Sequence, residues 1–85
     1  MEETKVGRVE RFFRKPMVAA VTIEREGLAV GEALHIKGRT TDLHLRISSM
    51  EIQGLPVKSA EAGECVGIAL SARVRTRDEV FKIKE

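Results

Sequence analysis

Between Thr41 and Ile52 the chain reads TDLHLRISSMEI, and Leu43, Leu45 and Ile47 alternate with His44, Arg46 and Ser48. A period of two gives an extended backbone one apolar and one polar face, which predicts a half-buried β-strand. The parity then changes: Met50 and Ile52 are even-numbered, whereas the earlier apolar set is odd. Keeping both sets inside requires one extra residue, so a bulge is expected near Ser48 and Ser49. A long bulged strand bends a small sheet towards a barrel.

The rest of the chain follows the same pattern. Lys5 to Phe13 is predicted as a first strand, although Val6 and Val9 differ in parity and leave its inward set ambiguous. Arg14-Lys15-Pro16 is a basic turn, and Met17 to Ile23, rich in β-branched residues, is the second strand. Leu28-Ala29-Val30 is a short extended piece, and Glu32 to Lys37 is a strand with Leu34 and Ile36 inward. A turn at Gly38 to Thr41 pairs it with the long strand. If Lys37 opposes Asp42, then Ile36 opposes Leu43, His35 opposes His44 and Leu34 opposes Leu45, so the apolar pairs share one face.

Gly54-Leu55-Pro56 is expected to end the long strand, and Val57 to Glu64 is a connection with room for one helical turn. Cys65 to Leu70 points Val66, Ile68 and Leu70 inward, Arg73 to Arg77 alternates Arg with Val74 and Thr76, and Glu79 to Ile83 closes the chain. Residues 1–4 are polar and expected to be loose; residues 5–85 form the predicted domain. About six or seven short strands separated by Gly-containing turns predict an all-β fold, a small closed antiparallel β-barrel.

Composition narrows the function more than the fold. Charged residues make up 33% of the 85, yet the net charge is only +2, so polyanion binding would depend on where the cations cluster. There are three Phe and no Tyr or Trp, which leaves few rings to stack on bases or sugars. The one cysteine, Cys65, cannot form an intramolecular disulfide, which suits a reducing compartment. The acidic start MEETKVGRVE is unlike a signal peptide, and no apolar run reaches the length of a membrane span, so a cytoplasmic location without membrane contact is expected.

Gly27-Leu28-Ala29-Val30-Gly31-Glu32 and Leu34-His35-Ile36-Lys37-Gly38 resemble the second domain of translational GTPases such as elongation factor Tu. So do Ile47-Ser48-Ser49-Met50-Glu51 and Ala62-Gly63-Glu64-Cys65-Val66-Gly67-Ile68. Gly7-Arg8-Val9 through Phe12-Phe13 and Lys37-Gly38-Arg39-Thr40-Thr41-Asp42 are similar, more closely still, to the C-terminal barrel of the collagenase-like (U32) peptidase family, some of whose members act in RNA modification. The resemblance runs from about Val6 to Ile83. Before the last strand these families often carry Gly-Asp, whereas this chain has Arg77-Asp78-Glu79. The resemblance implies a translation-protein barrel that touches RNA or a ribonucleoprotein. It carries over no contact residue, and fold alone is a weak warrant for a task.

No phosphate loop of the form G-x-x-x-x-G-K-[ST] is present, so nucleotide hydrolysis is not expected. Cys65 has no histidine predictably near it to act as a base, so no catalytic residue is assigned. Two imidazoles facing each other at His35 and His44 could hold a divalent ion, but a stable site needs three or four ligands. Glu32, Arg46 and Lys37 do not supply them, so the pair is read as two solvated side chains, with no metal and no cofactor. The cations group better. Arg11, Arg14 and Lys15 lie at one hairpin tip, Lys37 and Arg39 at another, and Arg73, Arg75 and Arg77 share one parity. A row of guanidiniums matches a phosphate backbone, while outward charges also keep a small barrel soluble. The expected function is a non-catalytic binding module contacting RNA or the ribosome; the alternative is a protein-interaction subunit completing a larger complex.

Overall fold

A computed structural model describes residues 2–85. The chain is all-β. Its strands are β1 (Glu2–Phe13), β2 (Val18–Ile23), β3 (Leu28–Ala29), β4 (Ala33–Lys37), β5 (Asp42–Arg46), β6 (Met50–Ile52), β7 (Leu55–Val57), β8 (Ser59–Ala60), β9 (Cys65–Ala69) and β10 (Glu79–Lys84). Eight of them form one antiparallel sheet in the order β5-β4-β10-β1-β2-β9-β6-β7, and β3 pairs with β8 separately.

The predicted hairpin register is the one observed: Lys37 opposes Asp42, Ile36 opposes Leu43, His35 opposes His44 and Leu34 opposes Leu45. The parity change in the long stretch is also real, but it marks a break between two strands with different partners rather than the expected bulge within one strand. Ile47 and Met50 are both buried, and the chain leaves the ladder at residues 47–49 between β5 and β6. There Ile47 still bonds Glu32 and Gly31 on one side, while Ser49 accepts from Ala69 of β9 on the other. Residues 42–52 thus run from one end of the sheet to the strand near its other end.

Three expectations need correcting. The hydrogen-bonded order has two ends, β5 and β7, so the closed ladder predicted from the pattern is not formed. There are more strands than the predicted six or seven, because Leu55–Val57 turns back as β7 and Ser59–Ala60 forms β8. Gln53 (φ 52°) and Gly54 (φ 80°) make the tight hairpin turn responsible, and Pro56 is tolerated because β7 is an outermost strand. Residues 2–4, expected to be loose, belong to β1: Glu2, Glu3 and Thr4 pair with Lys84, Ile83 and Lys82. Met1 lies outside the described residues.

Val6 and Val9 are both fully buried. Register shifts resolve their conflicting parity, one between Lys5 and Gly7 against β10 and one between Val9 and Arg11 against β2. They join Val21, Ile23, Leu34, Ile36, Val66, Ile68 and Val80 in one aliphatic core. Among the described residues, no helix is long and apolar enough to cross a membrane.

Candidate functional site

Two surfaces carry the polar chemistry, and the first is basic. The turn after β1 places Arg14 and Lys15 at a hairpin tip, where Met17 takes a left-handed conformation (φ 71°) and its carbonyl accepts from Leu70 N at 3.0 Å. That bond brings the connection 70–78 alongside the tip. The connection is not a strand, as its alternation suggested, and the alternation holds only at Val74: that residue is buried at 2%, while Arg73, Arg75, Thr76 and Arg77 are exposed.

Asp78 fixes the far end of this connection. It is buried at 5%, its Oδ2 accepts from Arg75 N at 2.8 Å, and its own N–H donates to Arg75 O at 3.1 Å. Gly38 leaves the space this carboxylate fills, since a Cβ there would collide with the Asp78 Oδ1. Arg77 N donates to Val9 O, and Val9 N to Asp78 O, each at 2.8 Å. Arg77 sits at φ 77°, so it occupies the left-handed position that glycine usually takes. This is where the chain departs from the Gly-Asp pattern of its resemblance.

The result is a basic strip along residues 70–78, with one concavity beside Arg73 and another beside Arg75 and Arg77. Phe12, Arg14, Lys15, Met17 and Arg73 line an open cavity of about 750 Å³. Lys37, Arg39, Arg75 and Arg77, with Lys5 and Arg8, line a second of about 680 Å³, to which Asp78 and Glu79 also contribute. Arg11 lines neither; it is exposed on β1 opposite Ala20. Lys37 is held by Glu3 at 3.7 Å and lies over the Phe81 ring at 4.6 Å. Among the described residues, Arg11, Arg14, Lys15, Arg39, Arg73, Arg75 and Arg77 form no ion pair.

The second surface is the outer face of β5, β4, β10 and β1, where register sets His44, His35, Phe81 and Lys5 in one row. His35 is not solvated, as the sequence suggested, but 7% exposed. Its ring stacks on His44, with centroids 3.8 Å apart and planes 19° apart. Nδ1 meets Glu3 Oε2 at 2.8 Å, and Nε2 meets Asp42 Oδ1 at 2.5 Å. Burial opposes charge on this imidazole, but the hydrogen bonds to Asp42 and Glu3 outweigh it and raise its pKa above the ordinary 6.5. The same bonds from His35 lower the pKa of both carboxyls. Register pointed to Asp42 as a partner for Lys37; its carboxylate turns to His35 instead. Glu3 was missed altogether, because it arrives from a strand 32 residues away that the local pattern treats as a loose end.

Cys65 is exposed at the start of β9, opposite Thr22 of β2. Strands β2, β1 and β10 separate it in the sheet from the histidines on β4 and β5.

No family model matches the chain. Over 82 residues it is 35% identical to an uncharacterized protease of Methanocaldococcus jannaschii, a match spanning 95% of this chain and 20% of that protein. The chain therefore spans about a fifth of the length of this relative. Among solved structures it is similar to the C-terminal domain of a Geobacillus thermoleovorans protein described as a U32 peptidase. One structure of that domain gives a TM-score of 0.86 at 13% identity, covering 94% of this chain and 92% of the other. Its selenomethionine variant gives 0.84 at 12%, covering 91% and 96%. Of the two resemblances read from the sequence, these structures bear out the second; the likeness to elongation factors rests on sequence motifs alone. The fold of this chain is that of the C-terminal domain of a U32 peptidase.

Proposed function

We propose that the chain is a non-catalytic accessory module that contacts RNA, alone or in a ribonucleoprotein, through the basic strip. One observation carries this: Arg14, Lys15 and Arg73 line one concavity and Arg39, Arg75 and Arg77 another, and none of the six forms an ion pair among the described residues, although Asp78 and Glu79 also line the second. Cations left unpaired beside a groove are free to exchange counterions for phosphates. In this reading the sheet works as a barrel whose seam is crossed by residues 42–52 rather than by a ladder. The free thiol of Cys65 suits a reducing cytoplasm.

Fluorescence anisotropy with a mixed-sequence single-stranded RNA tests the proposal. Affinity should fall with added salt at a slope near 0.7 per phosphate contact. Replacing Arg73, Arg75 and Arg77 together by Ala should flatten that slope by about 2. An affinity indifferent to salt and to the triple substitution would discard the reading. A second reading, a protein-interaction subunit, is favoured by Leu55, which is 69% exposed on the outermost strand β7. It predicts that Leu55→Lys, not the arginine variant, abolishes assembly with a protein partner.

A further inference from the structure

We propose that Glu3, His35 and His44 form a binding site for a divalent ion of the zinc class. The ligand set that the hairpin lacks on its own is completed by β1. One ligand atom from each of the three residues lies within 4.8 Å of the other two. A tetrahedral zinc, with nitrogen and oxygen ligands at about 2.0–2.2 Å, holds such atoms roughly 3.3–3.5 Å apart. Closing the difference requires the His44 ring to tilt out of its stack on His35, so that the two in-plane lone pairs converge. His44 is exposed, and the Glu3 side chain is 31% exposed, so both can swing.

The partners of His35 favour a metal ligand. Asp42 engages Nε2 and holds a proton there, so Nδ1 is the nitrogen that can give up its proton and offer a lone pair to an ion. A carboxylate on the far nitrogen of a ligating imidazole orients the ring and raises its basicity. Nδ1 now shares a proton with Glu3 Oε2; a bound ion takes that proton's place and releases it to solvent. Two imidazole nitrogens and one carboxylate oxygen suit zinc, cobalt or nickel rather than magnesium or calcium, which prefer all-oxygen shells. His44 faces solvent, so water completes the fourth position. The ion would tie β1 to β4 and β5 across the intervening β10.

The test titrates the chelator-stripped chain with Zn²⁺ by calorimetry and with Co²⁺ by visible absorption, and follows both imidazoles by NMR. One ion per chain should bind with micromolar affinity, Co²⁺ should show the intense bands of a tetrahedral site, and His35 and His44 should shift together. Glu3→Gln and His44→Ala, both at exposed positions, should weaken binding at least tenfold while the chelated variants keep the wild-type circular dichroism. Cys65→Ser should change nothing, and Mg²⁺ should not compete. The proposal is overturned if binding does not saturate below millimolar Zn²⁺, if either variant binds as wild type does, or if binding disappears with Cys65.

Discussion

Around His35 the charges are answered: Glu3, Asp42 and Lys37 lie in contacts of 2.5 to 3.7 Å. Along residues 70–78 the guanidiniums of Arg73, Arg75 and Arg77 have no such partner among the described residues. The difference comes from backbone. On one face of a sheet, side chains also meet diagonally and across a neighbouring strand, so Asp42 reaches His35 rather than the directly opposed Lys37, and Glu3 reaches it across β10. The connection has no ladder partner over that stretch. Its position is fixed instead by Val74 inside, by main-chain bonds from Leu70 to Met17 and from Arg77 to Val9, and by the Asp78 carboxylate that accepts from Arg75 N. One region uses charge to hold a shape; the other holds a shape that keeps charge available.

Two truncations should break the comparison most strongly, because both regions stand on the same core. Ile36 is fully buried in β4, next to His35 in the chain but on the inner face. Ile36→Ala should cost about 2–5 kcal/mol in urea unfolding. Val74→Ala removes two buried methyl groups, worth roughly 1.5 kcal/mol at ~0.8 kcal/mol each. It should also loosen the connection and weaken RNA binding, whereas Ile36→Ala should spare binding wherever the protein remains folded. If the two variants change binding equally at matched stability, the strip does not depend on its own anchor.

A smaller effect should appear with pH in the metal-free protein. The groups facing His35 are Glu3, Asp42, Lys37 and His44. Its raised pKa means that its contribution is full below the ordinary 6.5 and is lost as pH rises through the folded value. Glu3 and Asp42, with lowered pKa, contribute above 4.5 and 3.8 and lose that contribution as pH falls. Stability measured with chelator present should therefore be highest between about 4.5 and 6.5 and decline above that window. His35→Gln should remove the decline. An identical profile in wild type and variant would show that the paired region does not hold the fold through charge.

What could be read in advance divides along the same line. The alternation of Leu43, Leu45 and Ile47 and the turn at Gly38 fixed the β4–β5 register, because a hairpin is a local event. The shift to Met50 and Ile52 located the irregularity at Ser48 and Ser49 for the same reason, but did not show that the strand breaks there, because β6 takes its partners from β9 and β7. Glu3 could not be placed, since it meets His35 only after β10 has paired with β1 from the opposite end of the chain. The basic residues were found by type, and the strip they form was not. Its path depends on Asp78 filling the space beside Gly38 and on Arg77 at φ 77°, neither of which leaves a periodic signal.

The finest test separates position from charge. Arg11 and Arg73 are both exposed and without an ion-pair partner among the described residues, but only Arg73 lines the cavity shared with Arg14 and Lys15. Net charge changes by the same amount when either becomes Ala. If the strip is the binding surface, Arg73→Ala should lower the salt slope for single-stranded RNA by about 0.7, the loss of one phosphate contact, and Arg11→Ala should leave it unchanged. Equal losses would mean that RNA responds to the summed field of the molecule, and the geometry of residues 70–78 would then have no part in binding.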